Sequence, residues 1–148
     1  MNYDYSENIL VQEAAGHLLE TELGWEVKFA YNTEVLGENG TFGRKSYKEI
    51  LLIRYFRQAL KTLNPWITPM QIDEAQKKME SRLSTASLMQ INEEKYAYIR
   101  DGIPVTVKKP GGRSEIKRAM VVDFQHPDDQ SRNYFLAIKI GRASCRER

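Results

Sequence analysis

Apolar residues recur three and four apart in several stretches of this chain and alternate strictly in others, and the two periods predict its elements. Val11, Ala14, Ala15, Leu18 and Leu19 define a first helix. Ser6 is placed to cap it, Glu7 sits in its first turn where an acid suits the helix dipole, and Leu23-Gly24 supplies the stop. Trp25 to Tyr31 then reads as a strand, with Trp25, Val27, Phe29 and Tyr31 on one face and Glu26 and Lys28 on the other. Residues 32–42 form a loop punctuated by Gly37 and Gly40, and Gly43 follows directly. Ser46-Tyr47-Lys48-Glu49 has the spacing of a capping box, so a second helix is expected from Ser46 to Leu63, with Leu52, Phe56, Ala59, Leu60 and Leu63 as its core face. Asn64-Pro65 ends it, because the residue before proline is driven away from helical backbone angles.

Thr68-Pro69 predicts the third helix, with a cap followed by proline at the first helical position and Ile72, Ala75, Met79 and Leu83 as its stripe. A fourth runs from about Ser87 to Ile99, with Leu88, Ile91 and Tyr98 inward and Asp101-Gly102 as the stop. The period then changes to two. Ile103, Val105 and Val107 alternate with polar or small neighbours, Pro110-Gly111-Gly112 makes a turn, and Ile116 to Phe124 is expected as the partner strand. A polar loop, 125–133, leads to a last strand at Tyr134 to Ile138. The fold class is therefore α/β, with helices packed on a small mixed or antiparallel sheet, and the length suits one domain able to bury a real core.

The end of the chain changes the composition argument. Residues 140–148, Ile140-Gly141-Arg142-Ala143-Ser144-Cys145-Arg146-Glu147-Arg148, read as the translation of a common sequencing adapter rather than as a continuation of the last strand. Without Arg142, Arg146, Arg148 and Glu147 the 22 basic and 20 acidic residues become 19 and 19. The net charge of +2 thus comes from this tail, and a basic balance gives no argument for nucleic acid; DNA contact would have to come from local clusters. Cys145, the one cysteine, also lies in the tail, so residues 1–139 offer no disulfide, thiolate metal site or cysteine nucleophile. No apolar run approaches the ~20 residues of a membrane span, and the first residues lack a secretion signal's pattern, so no membrane partner and a cytoplasmic location are expected.

Several local patterns invite a chemical reading. Residues 37–46 resemble a phosphate loop, but the spacing is off by one and Arg44 separates Gly43 from Lys45, so an ordinary loop is the better reading. Arg54, Arg57 and Lys61 fall at i, i+3 and i+7 on the second helix, with Arg44 and Lys45 near its expected start. Such a row can track a DNA backbone, although a solvated or salt-bridged face is the commoner meaning. Pro127-Asp128 followed by Ala137-Ile138-Lys139 echoes a metal-dependent nuclease pattern, Pro-Asp and then Asp/Glu-x-Lys, but Ala137 stands where the second metal-binding acid is needed. Glu7, Glu13 and Glu20 on the first helix, and Asp123 after Val121-Val122, are carboxylates of a kind that can complete a Mg²⁺ site and more often are solvated or cap turns. His17 and His126 have no second histidine at ligand spacing.

The order of short motifs carries more than any one of them. Tyr5-Ser6-Glu7, Leu10-Val11-Gln12, Glu22-Leu23-Gly24-Trp25-Glu26, Ala30-Tyr31-Asn32, Gly43-Arg44, Asn64-Pro65, Gly102-Ile103, Val121-Val122-Asp123-Phe124 and Phe135-Leu136-Ala137 resemble, in this order, the N-terminal region of the R subunit of type I restriction enzymes. That resemblance implies an incomplete PD-(D/E)xK restriction-endonuclease-like domain, whose metal-binding aspartate, Glu-x-Lys pair and ATP-driven motor lie beyond Lys139. It implies that the intact protein cuts double-stranded DNA with Mg²⁺ and ATP, in complex with methyltransferase and specificity subunits. The fragment itself is expected to bind neither cofactor and to be inactive. Glu13, and after it Glu7, is the expected catalytic carboxylate, and Arg44, Lys45, Arg54, Arg57 and Lys61 are the expected DNA-binding cations. The alternative is a non-catalytic docking or DNA-binding module of the same complex.

Overall fold

The computed structural model describes residues 8–30, 33–81, 86–133 and 135–139. The chain divides into two compact units, Met1–Leu52 with Gln125–Arg148, and Ile53–Phe124. The second is an insertion in the sequence between two strands of the first.

In the first unit a π-helical stretch, Asn8–Glu13, leads into α1, Ala14–Leu23. Gly24 ends α1 with φ of 66°, and its amide returns to the carbonyl of Glu20. A side chain at Gly24 would be strained by that angle and would sit 2.3 Å from Gln130 Nε2. The strand β1, Glu26–Phe29, pairs in parallel with β4, Phe135–Lys139, through Glu26 opposite Phe135 and Val27 opposite Leu136. The intervening loop is tied back by Trp25 Nε1, which donates to the carbonyl of Pro127 at 2.6 Å, and by Asn133 Nδ2, which donates to that of His126. The expected α1 stripe does not become core: Val11 and Leu18 are each 60% exposed and only Gly16 is buried. Spacing alone marks a face as apolar without supplying its cover. The expected cap Ser6 and the residues Tyr31, Leu83 and Tyr134 lie outside the described residues, as do residues 140–148.

The second unit follows the periodicity closely. Helix α2, Ile53–Leu63, buries Phe56, Leu60 and Leu63; α3, Pro69–Glu80, buries Ile72 and Ala75 against them. Each of the larger side chains, Phe56, Leu60, Leu63 and Ile72, contributes about 1.5–3 kcal/mol when fully buried. Gln71 Oε1 accepts from the Thr68 amide at the start of α3, and Ser87 Oγ accepts from the Gln90 amide at the start of α4, Leu88–Asp101. The expected inward Leu88 is instead 76% exposed, at the first position of α4, a helix with no fully buried residue.

Strands β2, Ile103–Lys108, and β3, Ser114–Ala119, form an antiparallel hairpin with Ile103, Val105 and Ala119 buried. The small sheets are thus one parallel pair and one antiparallel pair in an α/β chain. Two expected boundaries moved. The β3 ladder stops at Ala119 rather than Phe124, because the buried Asn64 takes over the next backbone groups: its Oδ1 accepts from the Met120 amide at 2.8 Å and its Nδ2 donates to the Met120 carbonyl at 2.9 Å. Helix α2 starts at Ile53 rather than Ser46. Ser46 forms a turn of its own, with its hydroxyl accepting from the Lys48 amide, while the Glu49 carboxylate accepts from Lys45 rather than closing a capping box.

Candidate functional site

The best-organised polar arrangement is built in the loop between β1 and α2. Glu34 follows the buried Ala30, whose carbonyl accepts from both the Thr33 and Glu34 amides, so the carboxylate is fixed just after the strand. Arg44 meets it in a two-pronged ion pair, Nε donating to Oε1 at 2.7 Å and a terminal nitrogen donating to Oε2. Its other terminal nitrogen donates to the Glu49 carbonyl at 2.9 Å, and the guanidinium lies 5.6 Å from the centre of the Tyr47 ring. The two side chains are 4% and 1% exposed. Such a pair needs this full hydrogen bonding to offset removing two charges from water.

Around it the loop closes on itself. The Gly37 amide donates to the Arg44 carbonyl, Gly40 to Gly37 and Thr41 to Val35, while Thr41 Oγ1 accepts from the Val35 amide. A Cβ on Gly40 would lie 2.0 Å from the Val35 carbonyl oxygen, a contact only glycine permits. Phe42 fills the centre at 1% exposed. The Gly37, Gly40 and Thr41 amides are bonded within the loop, the Lys45 amide is bonded to the Glu49 carboxylate, and no helix begins at Ser46 to point its N-terminus at a phosphate. These residues do not fit a nucleotide phosphate.

The expected cations are not presented alike. Arg44 is buried in its pair, so its charge meets Glu34 rather than solvent, while Lys45 is exposed. On α2, Arg54 is exposed and stacks 4.8 Å from the centre of Tyr55, donating to its hydroxyl at 2.9 Å. Arg57 donates to Asp73 at 2.7 Å and to Gln76 at 2.8 Å, fastening α2 to α3. Lys61 is exposed in the last turn. Sequence spacing found this row but missed its partners, Asp73 and Gln76, because they come from another helix. Glu34 was missed for the same reason, its partner being ten positions away in a loop without period.

Of the expected carboxylates, Glu13 is half-buried at the junction with α1, and Glu7 lies outside the described residues. Glu20 is exposed on α1, and Asp123 is buried, after the hairpin rather than on a strand end. Among the described residues no three His, Cys, Asp or Glu side chains converge as a metal ion requires. They do not make a Mg²⁺ site by themselves. His17 is exposed, with its ring 6.4 Å from that of Phe29. Among the described residues no helix is long and apolar enough to cross a membrane.

The family described as type I restriction enzyme R protein N terminus matches residues 4–139. The chain is also 27% identical over 116 residues to the type I restriction enzyme HindI endonuclease subunit of Haemophilus influenzae, an alignment covering 78% of this chain and 10% of that protein. It therefore spans about a tenth of the length of that curated relative. No solved structure matches the chain.

Proposed function

This chain belongs to the family of type I restriction enzyme R protein N termini, and from that premise we propose that it is the front part of the nuclease domain of a DNA-cleaving, ATP-dependent translocating subunit. The family match over residues 4–139 carries the reading. In the whole protein the substrate is double-stranded DNA, hydrolysed at its phosphodiester bonds, and the partners are methyltransferase and specificity subunits in the cytoplasm. Residues 1–139 are the part of that domain present here, with 140–148 a tail foreign to it. Mg²⁺ and ATP act in the whole protein, with their principal binding residues beyond Lys139, as the resemblance to the R subunit implies. Glu13 is the candidate to add one carboxylate to a set completed elsewhere, with Glu7 second. Lys45, Arg54 and Lys61 are the candidate DNA contacts, and Arg44 serves by holding the loop that carries Lys45.

The test restores the native downstream sequence and substitutes Glu13→Ala and Glu7→Ala separately. A catalytic carboxylate predicts loss of Mg²⁺-dependent duplex cleavage on the order of 10²-fold or more, with assembly of the subunits intact. The second reading is a docking module without chemistry. Its support is the exposed Val11, in the π-helical stretch, and Leu18, on α1. It predicts the opposite split, with assembly lost when Leu18→Asp is introduced and cleavage chemistry indifferent to Glu13.

A further inference from the structure

The β2–β3 hairpin is firmly held at one end and free at the other. At its base Ile103 and Ala119 are fully buried, Val105 is 1% exposed, and Asn64 clasps the backbone of Met120. The outer edge of β2 is covered by α3: Glu74 accepts from the Thr106 amide at 3.0 Å, Gln71 donates to the Thr106 carbonyl, and Lys78 donates to that of Pro104 at 2.5 Å. From Lys108 to Ser114 every residue is exposed. The turn is closed by the Lys109 amide donating to the Arg113 carbonyl at 2.8 Å. Gly111 and Gly112 have φ of 97° and 82°, and a Cβ on either would meet nothing, so they serve the turn's shape and leave the tip uncrowded.

The projecting part is cationic. Lys108, Lys109, Arg113, Lys117 and Arg118 face one acid, Glu115. Lys109 pairs with Glu115 at 2.7 Å, Lys117 lies 5.1 Å from the centre of the Trp66 ring, and Arg118 donates to the Gly102 carbonyl. Lys108 and Arg113 have no ion-pair partner among the described residues. The tip, 108–114, carries no apolar side chain beyond the proline ring, so it lacks the buried anchor on which protein partners usually depend. Phosphate contacts ask for charge along an edge and no such anchor.

We propose that this hairpin is a contact site for the phosphate backbone of duplex DNA, with Lys108, Lys109 and Arg113 engaging phosphates and Glu115 restraining Lys109. The inference rests on the reading of the chain as part of a DNA-cleaving subunit and adds a surface to the α2 row. The experiment measures binding of this chain to a random duplex of about 30 base pairs by fluorescence anisotropy across a salt series. The variant K108Q/K109Q/R113Q, with the emission of Trp25 and Trp66 as the check on folding, is expected to flatten the slope of log K against log salt by about 2–3 and to weaken binding at low salt at least about tenfold. Glu115→Gln frees Lys109 and is expected to act in the opposite direction, tightening binding, an effect that misfolding would not produce.

An unchanged slope in the triple variant overturns the proposal. If R54Q/K61Q removes binding while the triple variant binds as the unaltered chain does, the hairpin falls and the DNA reading stands. If the unaltered chain shows no salt-dependent binding, both fall. Loss of binding to polyglutamate with duplex binding intact would mark the hairpin as a ribbon for acidic proteins and also overturn the proposal.

Discussion

The two units solve the same problem, holding loops and short strands in place, with different materials. Residues 53–124 use an apolar core, in which Phe56, Leu60, Leu63, Ile72, Ala75, Ile103, Val105 and Ala119 are buried beside the polar Asn64, Gln71 and Asp123, of which Asn64 is bonded through both ends of its side-chain amide. The other unit buries Ala30 and Phe42 but also a charged pair, and leaves the apolar stripe of α1 exposed. Apolar packing tolerates small errors, because contacts are many and individually weak. A buried ion pair does not, since loss of one partner strands the other's charge. The contrast predicts a unit that degrades gradually and a unit with a single point of failure.

The sharpest break of that comparison is Arg44→Ala. It leaves the Glu34 carboxylate, 1% exposed, without its partner and frees the Glu49 carbonyl. A cost of about 3–5 kcal/mol is expected, confined to its own unit. Amide exchange should accelerate through residues 34–49 while α2 and α3 keep their protection. The double variant Glu34→Leu with Arg44→Met should recover most of that loss, since an apolar pair has no stranded charge. If Arg44→Ala leaves exchange in the loop unchanged, the pair is not what holds it.

A smaller effect is expected at the most deeply buried polar side chain of the other unit, Asn64. Asn64→Ala removes the acceptor for the Met120 amide and the donor for the Leu60 and Met120 carbonyls. Leaving such groups unpaired costs about 1–3 kcal/mol. The apolar core should spread this loss over α2 and the base of the hairpin, so urea unfolding should show a lower midpoint with its slope retained. A local collapse restricted to residues 119–121 would instead mean that Asn64 acts as a clamp like Arg44, and the contrast between the units would weaken.

Legibility in the sequence divides along the same line. The core of the second unit could be read, because Phe56, Leu60 and Leu63, and then Ile72 and Ala75, recur at helical spacing and were buried as that spacing implies. Asn64-Pro65, Thr68-Pro69 and Asp101-Gly102 marked real boundaries, since each acts on its own backbone. Residues 33–42 are a loop as their glycines imply, but the order inside residues 33–50 could not be read. Ser46 to Glu49 has a helix-start pattern, yet Glu49 bonds to Lys45 through its carboxylate and to Arg44 through its carbonyl, contacts that no local period encodes. For the same reason Arg44 was expected among exposed cations and is buried. The cations of the hairpin tip were plain in composition but had no significance until the structure showed the base fixed and the tip projecting.

The least effect is expected where the second unit uses a charged clamp of its own. Partial burial of Glu74 favours its neutral form, but the Thr106 amide and Lys78, at 3.1 Å, outweigh this and hold its carboxyl below the usual range. A depressed folded-state value means the contribution is present at neutral pH and is lost as pH falls through that lowered range. Because the Glu74 side chain is still 30% exposed, the loss should stay under about 1 kcal/mol, unlike the buried pair at Arg44. The wild-type chain should therefore lose slightly more stability than Glu74→Gln between about pH 6 and 3, the amide keeping a bond to Thr106 without the charge. Thermal midpoints of the two proteins that fall in parallel would show that Glu74 covers the edge of β2 by hydrogen bonding alone. Exposure, rather than charge as such, would then separate the two clamps.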